Sequence, residues 1–205
     1  MRILITGSYS GIGYKLGCEL VKRGHTVYMT VEDEKQLSVL KDKLKKDKID
    51  AFCFKMDITT DDIKLVDDIV IDCLINHAGV GIGGSILYMD IESMRKNYEV
   101  NVFSSFNLLK RVYRNMENSN IKGKIFVTSS IASYLPFKFL GCYTSSKSAI
   151  TMICRTLRRE LNYLNIKVIK IHSGSFKTTL LTKASDEYEK LFNETVNYQN
   201  QLKKL

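Results

Sequence analysis

The apolar positions of this chain switch repeatedly between short unbroken runs and a 3.6-residue repeat. Arg2–Thr6 is a short apolar run, and Gly11–Arg23 then carries apolar residues at helical spacing, with Gly24 placed to stop the helix. Thr26–Val31 is β-branched and apolar, whereas Glu34–Lys46 sets Leu37, Leu40 and Leu44 on one face of a helix. The alternation continues with a strand at Ala51–Met56, a short helix at Asp61–Ile69 and a buried strand at Cys73–Asn76. Glu92–Glu117 and Tyr143–Tyr163 read as two long helices, separated by a strand at Lys124–Ser129 and followed by another at Lys167–Ile171. The polar stretch Asp186–Lys204 predicts a terminal helix.

Six strands separated by helices require crossover connections, hence parallel pairing. The expected fold class is α/β, a doubly wound parallel sheet with helices on both faces. The only proline is Pro136, and neither a linker nor a repeat divides the chain. One domain over residues 1–205 is expected, with residues from about 174 onward forming a substrate loop and a terminal helical segment.

Composition narrows the partners. The formal net charge is +9, but lysines alternate with acids, as in Lys41-Asp42-Lys43-Leu44-Lys45-Lys46-Asp47-Lys48. That is the solvated face of a helix, and no nucleic-acid-binding motif accompanies it. No apolar run is long enough to span a membrane. The chain enters a strand directly from Met1, which leaves no room for a signal peptide, so the expected location is cytoplasmic. Five scattered cysteines form no C-x-x-C pair and meet no clustered histidines, so no metal site is expected and the thiols should be free.

The chemistry begins at Thr6-Gly7-Ser8-Tyr9-Ser10-Gly11-Ile12-Gly13, where a strand turns into a helix. Glycines let the backbone approach a ligand, and the free N–H groups of the helix end favour a pyrophosphate. Gly7, Ser10, Gly11, Ile12 and Gly13 are therefore candidate dinucleotide-binding positions. In Tyr143-Thr144-Ser145-Ser146-Lys147, a phenol and an ammonium lie four residues apart on one helix face. A nearby cation lowers a phenol pKa toward a range useful for proton transfer. Ser130 closes the preceding strand and Asn101 lies in the preceding long helix.

Taken with Asp57 and Asn76-His77-Ala78-Gly79, these residues resemble the short-chain dehydrogenase/reductase family from Arg2 to about Thr178. The resemblance implies a Rossmann-type fold, C-terminally shortened, and NAD or NADP as cofactor. It implies that Tyr143 exchanges a proton with a carbonyl or alcohol substrate. Lys147 would lower the Tyr143 pKa and bind the nicotinamide ribose, Ser130 would hold the substrate oxygen, and Asn101 would hold a water leading from Lys147 to solvent. Asp57 and Ile58 would contact the adenine, with Asn76, Ala78 and Gly79 as the wall beside the adenosine. Gly174 and Thr178 would face the nicotinamide, although Ser173 stands where the family usually has proline. His77 replaces the usual Asn or Ala and is expected to be a wall residue.

The second strand ends in Val31-Glu32-Asp33, with Val31 at the family's usual acidic position. Negative side chains there would repel a 2′-phosphate, so Glu32 tilts the expectation toward NAD. Tyr134, Leu135, Phe137, Phe139 and Leu140 imply an apolar or mixed small-molecule carbonyl substrate. A homodimer through the long helices 92–117 and 143–163 is expected. The alternative is a non-catalytic dinucleotide-binding redox sensor on the same fold.

Overall fold

The computed structural model describes residues 1–174. Its strands are β1 (Arg2–Ile5), β2 (Thr26–Val31), β3 (Phe52–Lys55), β4 (Cys73–Asn76), β5 (Lys124–Ser130) and β6 (Lys167–Ser173). The α-helices are α1 (Gly11–Lys22), α2 (Glu34–Lys46), α3 (Ile91–Tyr98), α4 (Ser105–Asn118) and α5 (Gly141–Glu160). All strand pairs are parallel in the order β3-β2-β1-β4-β5-β6, so the winding reverses between β1 and β4. Sheets of this kind open a crevice at the carboxyl ends of those two strands.

Register follows from the pleat. One row crosses all six strands through Phe52, Tyr28, Leu4, Leu74, Ile125 and Val168. Leu4, Leu74, Ile125 and Val168 are buried against Leu108, Leu109 and Val112 of α4 and Ile150 and Cys154 of α5. Their neighbours in sequence, Ile3, Ile5, Cys73 and Ile75, point to the other face and pack with Leu37, Leu40 and Leu44 of α2. The central strands β1 and β4 therefore bury both faces, which is why they read as unbroken apolar runs.

Two expected helices have different internal geometry. Asp61–Asp68 is a 3₁₀ helix, because only Ile63 and Val66, three residues apart, reach the core. The long helix expected over 92–117 spans α3 and α4 but contains a π turn at Glu99–Ser104. β5 and β6 run to Ser130 and Ser173, which pair with each other. The terminal helix expected at Asp186–Lys204, and Thr178, lie outside the described residues. Among the described residues no helix is long and apolar enough to cross a membrane.

Leu74 is fully buried in a central strand. Leu74→Ala is expected to cost about 3 kcal/mol of stability, read as a lower urea midpoint with an unchanged slope. A loss below about 1 kcal/mol would mean that this row is not the packed centre of the sheet.

Candidate active site

The crevice is built by closely approaching backbone. Gly7 has φ +69°, and a Cβ there would lie 2.9 Å from the Ala78 Cα. A Cβ on Gly13 would lie 2.4 Å from the Gly7 carbonyl oxygen, so neither position admits a side chain without displacement. The Thr6 hydroxyl accepts the N–H groups of His77 and Ala78, both at 2.9 Å, and so ties the exit of β1 to the exit of β4. Lys43 of α2 donates to the Tyr9 carbonyl at 3.1 Å and lies 4.6 Å from the centre of its ring, steadying the middle of the turn.

This turn delivers the N-terminus of α1. Ser10, its N-cap, makes no side-chain cap bond, and no acid stands in the first turn among the described residues. The free N–H groups and the positive end of the helix dipole are thus left for an anion. Glycine at 79 is required in turn, since a Cβ there would come within 2.9 Å of Asn101 Oδ1 and 3.3 Å of Lys147 Nζ. The half-buried Ile12 lies between Gly11 and Gly13. These features fit a dinucleotide: a cradle with no room for side chains, an uncapped helix end and a buried ammonium beside them.

Ser130 ends β5, while Tyr143 and Lys147 lie one turn apart on α5. Lys147 is only 5% exposed, donates to the Thr128 carbonyl at 3.2 Å, and holds its Nζ 5.8 Å from the centre of the Tyr143 ring. Thr128 is its sole hydrogen-bond acceptor among the described residues, so the ammonium keeps donors in reserve. Burial brings the Lys147 pKa down to about 8. Burial pushes the Tyr143 phenol above its ordinary value, against a smaller opposing pull from its hydrogen bond with Ser130. The expected lowering of the phenol by Lys147 is therefore not what the protein alone displays, because desolvation dominates.

The other candidates divide by what their side chains touch. Asn101 sits in the π turn, accepts from the Val80 N–H and donates to the Val80 carbonyl and to Ser146 Oγ. Asn76 donates to the Ser105 carbonyl and hydroxyl, so its amide ties β4 to α4, and its Oδ1 finds no partner among the described residues. Asp57 accepts from both the N–H and the hydroxyl of Thr59, closing its own turn, and Ile58 is buried in the core. Asp33 is the N-cap of α2 through the Gln36 N–H at 2.7 Å, whereas Glu32, equally exposed at the end of β2, caps nothing. Gly174 is exposed at the end of the described chain. Sequence reasoning took Thr6 only as the opening of the turn motif and passed over Thr128 and Asn97; the place of Thr6 directly after β1 is the one signal of its role.

His77 is more than a passive wall. Its Nδ1 lies 3.1 Å from the Thr128 hydroxyl, and its Cδ2 would stand 3.0 Å from a Cβ on Gly13. Burial and then the Lys147 charge hold its pKa down to about 4. The folded protein thus binds this proton less readily than the unfolded chain, and stability falls as pH drops from about 6.5 toward about 4. Between pH 7 and pH 5 the native protein should lose about 2 kcal/mol more than His77→Asn, measured by urea unfolding. Equal losses would show that His77 is not held neutral.

A family model described as short chain dehydrogenase matches residues 1–189. Estradiol 17-beta-dehydrogenase 2 of Rattus norvegicus is 29% identical, the match covering 96% of this chain and 53% of that protein. NADPH-dependent 3-dehydrocapnine reductase of Ornithobacterium rhinotracheale is 30% identical, over 88% of this chain and 67% of that protein. The chain thus spans about half the length of the first of these relatives and two thirds of the second. The crystal structure of NAD⁺-bound xylitol dehydrogenase is similar at 26% identity with a TM-score of 0.80, covering 88% of this chain and 72% of that one. With its parallel sheet, its glycine turn and this match over most of its length, the chain belongs to the short-chain dehydrogenase family.

Proposed function

We propose that this chain is an NAD(P)-dependent oxidoreductase that interconverts a carbonyl and an alcohol. The observation that carries the reading is the meeting of Ser130, Tyr143 and a buried Lys147 beside an uncapped glycine turn. The bound dinucleotide would supply or accept the hydride. Gly7, Ser10, Gly11, Ile12 and Gly13 would hold its pyrophosphate, and the reserve N–H donors of Lys147 would meet the ribose hydroxyls. Ala78 and Gly79 would wall the adenosine side, with the backbone around Asp57 and Ile58 at the adenine.

Ser130 would donate a hydrogen bond to the substrate oxygen, and Tyr143 would exchange a proton with it. The Asn101 side chain is engaged with Val80 and Ser146, so it shapes the wall, and a water link from Lys147 would run past it through other atoms. Exposed Tyr134, Leu135 and Phe137 beyond Ser130 favour an apolar or mixed substrate.

For the cofactor, Glu32 favours NAD, because its exposed carboxylate would repel a 2′-phosphate. Among the relatives named with a cofactor NADPH predominates, as in the Ornithobacterium reductase, while the xylitol dehydrogenase structure holds NAD⁺. A homodimer would use the exposed Phe103 of the π turn and Met152 of α5. Five free cysteines suit a cytoplasmic setting.

The test is titration with NADH and NADPH by fluorescence, followed by a panel of ketones and aldehydes. Substrate-dependent oxidation supports an enzyme, binding without turnover a redox sensor, and absence of binding overturns both. Tyr143→Phe should cut turnover by about 10³-fold while dinucleotide affinity stays within a few-fold; unchanged turnover would remove Tyr143 from the chemistry. Glu32→Arg should shift preference toward NADPH by roughly tenfold, and an unmoved ratio would remove Glu32 from cofactor selection.

A further inference from the structure

The segment leaving β4 runs from Gly79 to Ile82 beyond the last β4 pairing with either neighbouring strand. Its N–H and C=O groups must still be paired if they are to be buried. The pairing comes from two asparagines. Asn101 accepts from the Val80 N–H at 2.9 Å and donates to the Val80 carbonyl at 2.8 Å. Asn97 does the same for Ile82, accepting from its N–H at 3.4 Å and donating to its carbonyl at 3.3 Å. Each side-chain amide thus acts as one residue of a neighbouring strand.

A primary amide has a second N–H, and both asparagines aim theirs at α5. Asn101 reaches Ser146 Oγ at 3.0 Å and Asn97 reaches Cys142 Sγ at 3.0 Å. The spacing explains the match. Asn97 and Asn101 are four residues apart, as are Cys142 and Ser146, a helical rise of about 6 Å. Val80 and Ile82 are two extended residues apart, about 6.6 Å. Three elements therefore repeat at nearly one pitch, and the rungs Val80–Asn101–Ser146 and Ile82–Asn97–Cys142 fit side by side. The rungs are joined where Asn101 Nδ2 also donates to Asn97 Oδ1 at 3.4 Å.

Both rungs end on the turn of α5 that carries Tyr143. Cys142 is the residue before Tyr143, and Ser146 donates to the Tyr143 carbonyl at 2.7 Å. Asn97 is 0% exposed and Cys142 1%, so this polar contact is made without water and persists only while its geometry is kept. We propose that Asn97, through Cys142 and Ile82, is a positioning residue that fixes the start of α5, and with it Tyr143, against the wall that follows β4. The catalytic part of this inference rests on the oxidoreductase reading.

Amide hydrogen exchange and kinetics test it together. In Asn97→Leu, exchange at the Ile82 amide should accelerate at least tenfold while Val80, held by Asn101, changes less than threefold. With a panel carbonyl that the native protein reduces, kcat should fall about tenfold and the KM for NADH or NADPH should move less than twofold. Cys142→Ala alone should lower kcat about threefold, and adding it to Asn97→Leu should lower kcat no further, since the rung is already broken. Effects that multiply, or a lowered melting temperature with unchanged kcat, would make Asn97 a scaffold residue and overturn the proposal. Should Asn97→Leu not fold, Asn97→Asp keeps the acceptor for Ile82 but loses the donor to Cys142. It should keep Ile82 protection while losing kcat, and native kcat in it would equally overturn the proposal. Absence of native turnover sinks the oxidoreductase reading, whereas unaltered Ile82 exchange in Asn97→Leu sinks the rung itself.

Discussion

One hydroxyl joins the two halves of the crevice. Thr6 Oγ1 accepts the N–H groups of His77 and Ala78, fixing the exit of β4 against the exit of β1 where the winding reverses. Every close approach that builds the cradle depends on that tie. Ala78 lies against Gly7, the Gly7 carbonyl lies under Gly13, and His77 lies beside Gly13 while reaching Thr128. Thr128 in turn supplies the carbonyl that holds Lys147. A threonine can do this because its oxygen carries two lone pairs and its hydrogen is free to point elsewhere. Valine, its apolar isostere, would leave two backbone N–H groups without an acceptor at the floor of the site.

Burial sets the electrostatics of that floor. Removing Lys147 and Tyr143 from water lowers the ammonium and raises the phenol, so each is pushed toward its neutral form. His77 is pushed the same way, first by burial and then by Lys147. The positive end of α1 beside this floor would favour an anionic dinucleotide through charge as well as shape.

Much of this was legible in the chain because the central strands bury both faces and the helices carry simple stripes. β2, β4 and α2 fall where the pattern puts them, and Tyr143 and Lys147 lie one turn apart on α5. What escaped the pattern has local physical reasons. The π turn at Glu99–Ser104 leaves the apolar repeat on either side intact, so periodicity passes over it. The direction of the Tyr143 shift depends on how far water is excluded, which no motif encodes. Asn76 looked like a wall residue because strand ends face ligands, yet its amide turns to Ser105 of α4. Asn97 escaped because a buried asparagine and a solvated one look alike until the extended segment it pairs is seen.

Cofactor choice illustrates the division between backbone and side chain. The cradle would recognise a pyrophosphate through N–H groups and glycine, and those are indifferent to what the adenosine ribose carries. Selection would then fall to side chains, those at the end of β2 among them. Two acids stand there, but they are not equivalent. Asp33 is bound to the Gln36 N–H as the cap of α2, and diverting it would expose a helix end. Glu32 has only long contacts of 3.4 Å with Gln36 and is exposed. Its charge is screened by water, so its preference is a matter of repelling a phosphate more than of binding a diol. Discrimination resting on one solvated carboxylate should weaken as salt rises.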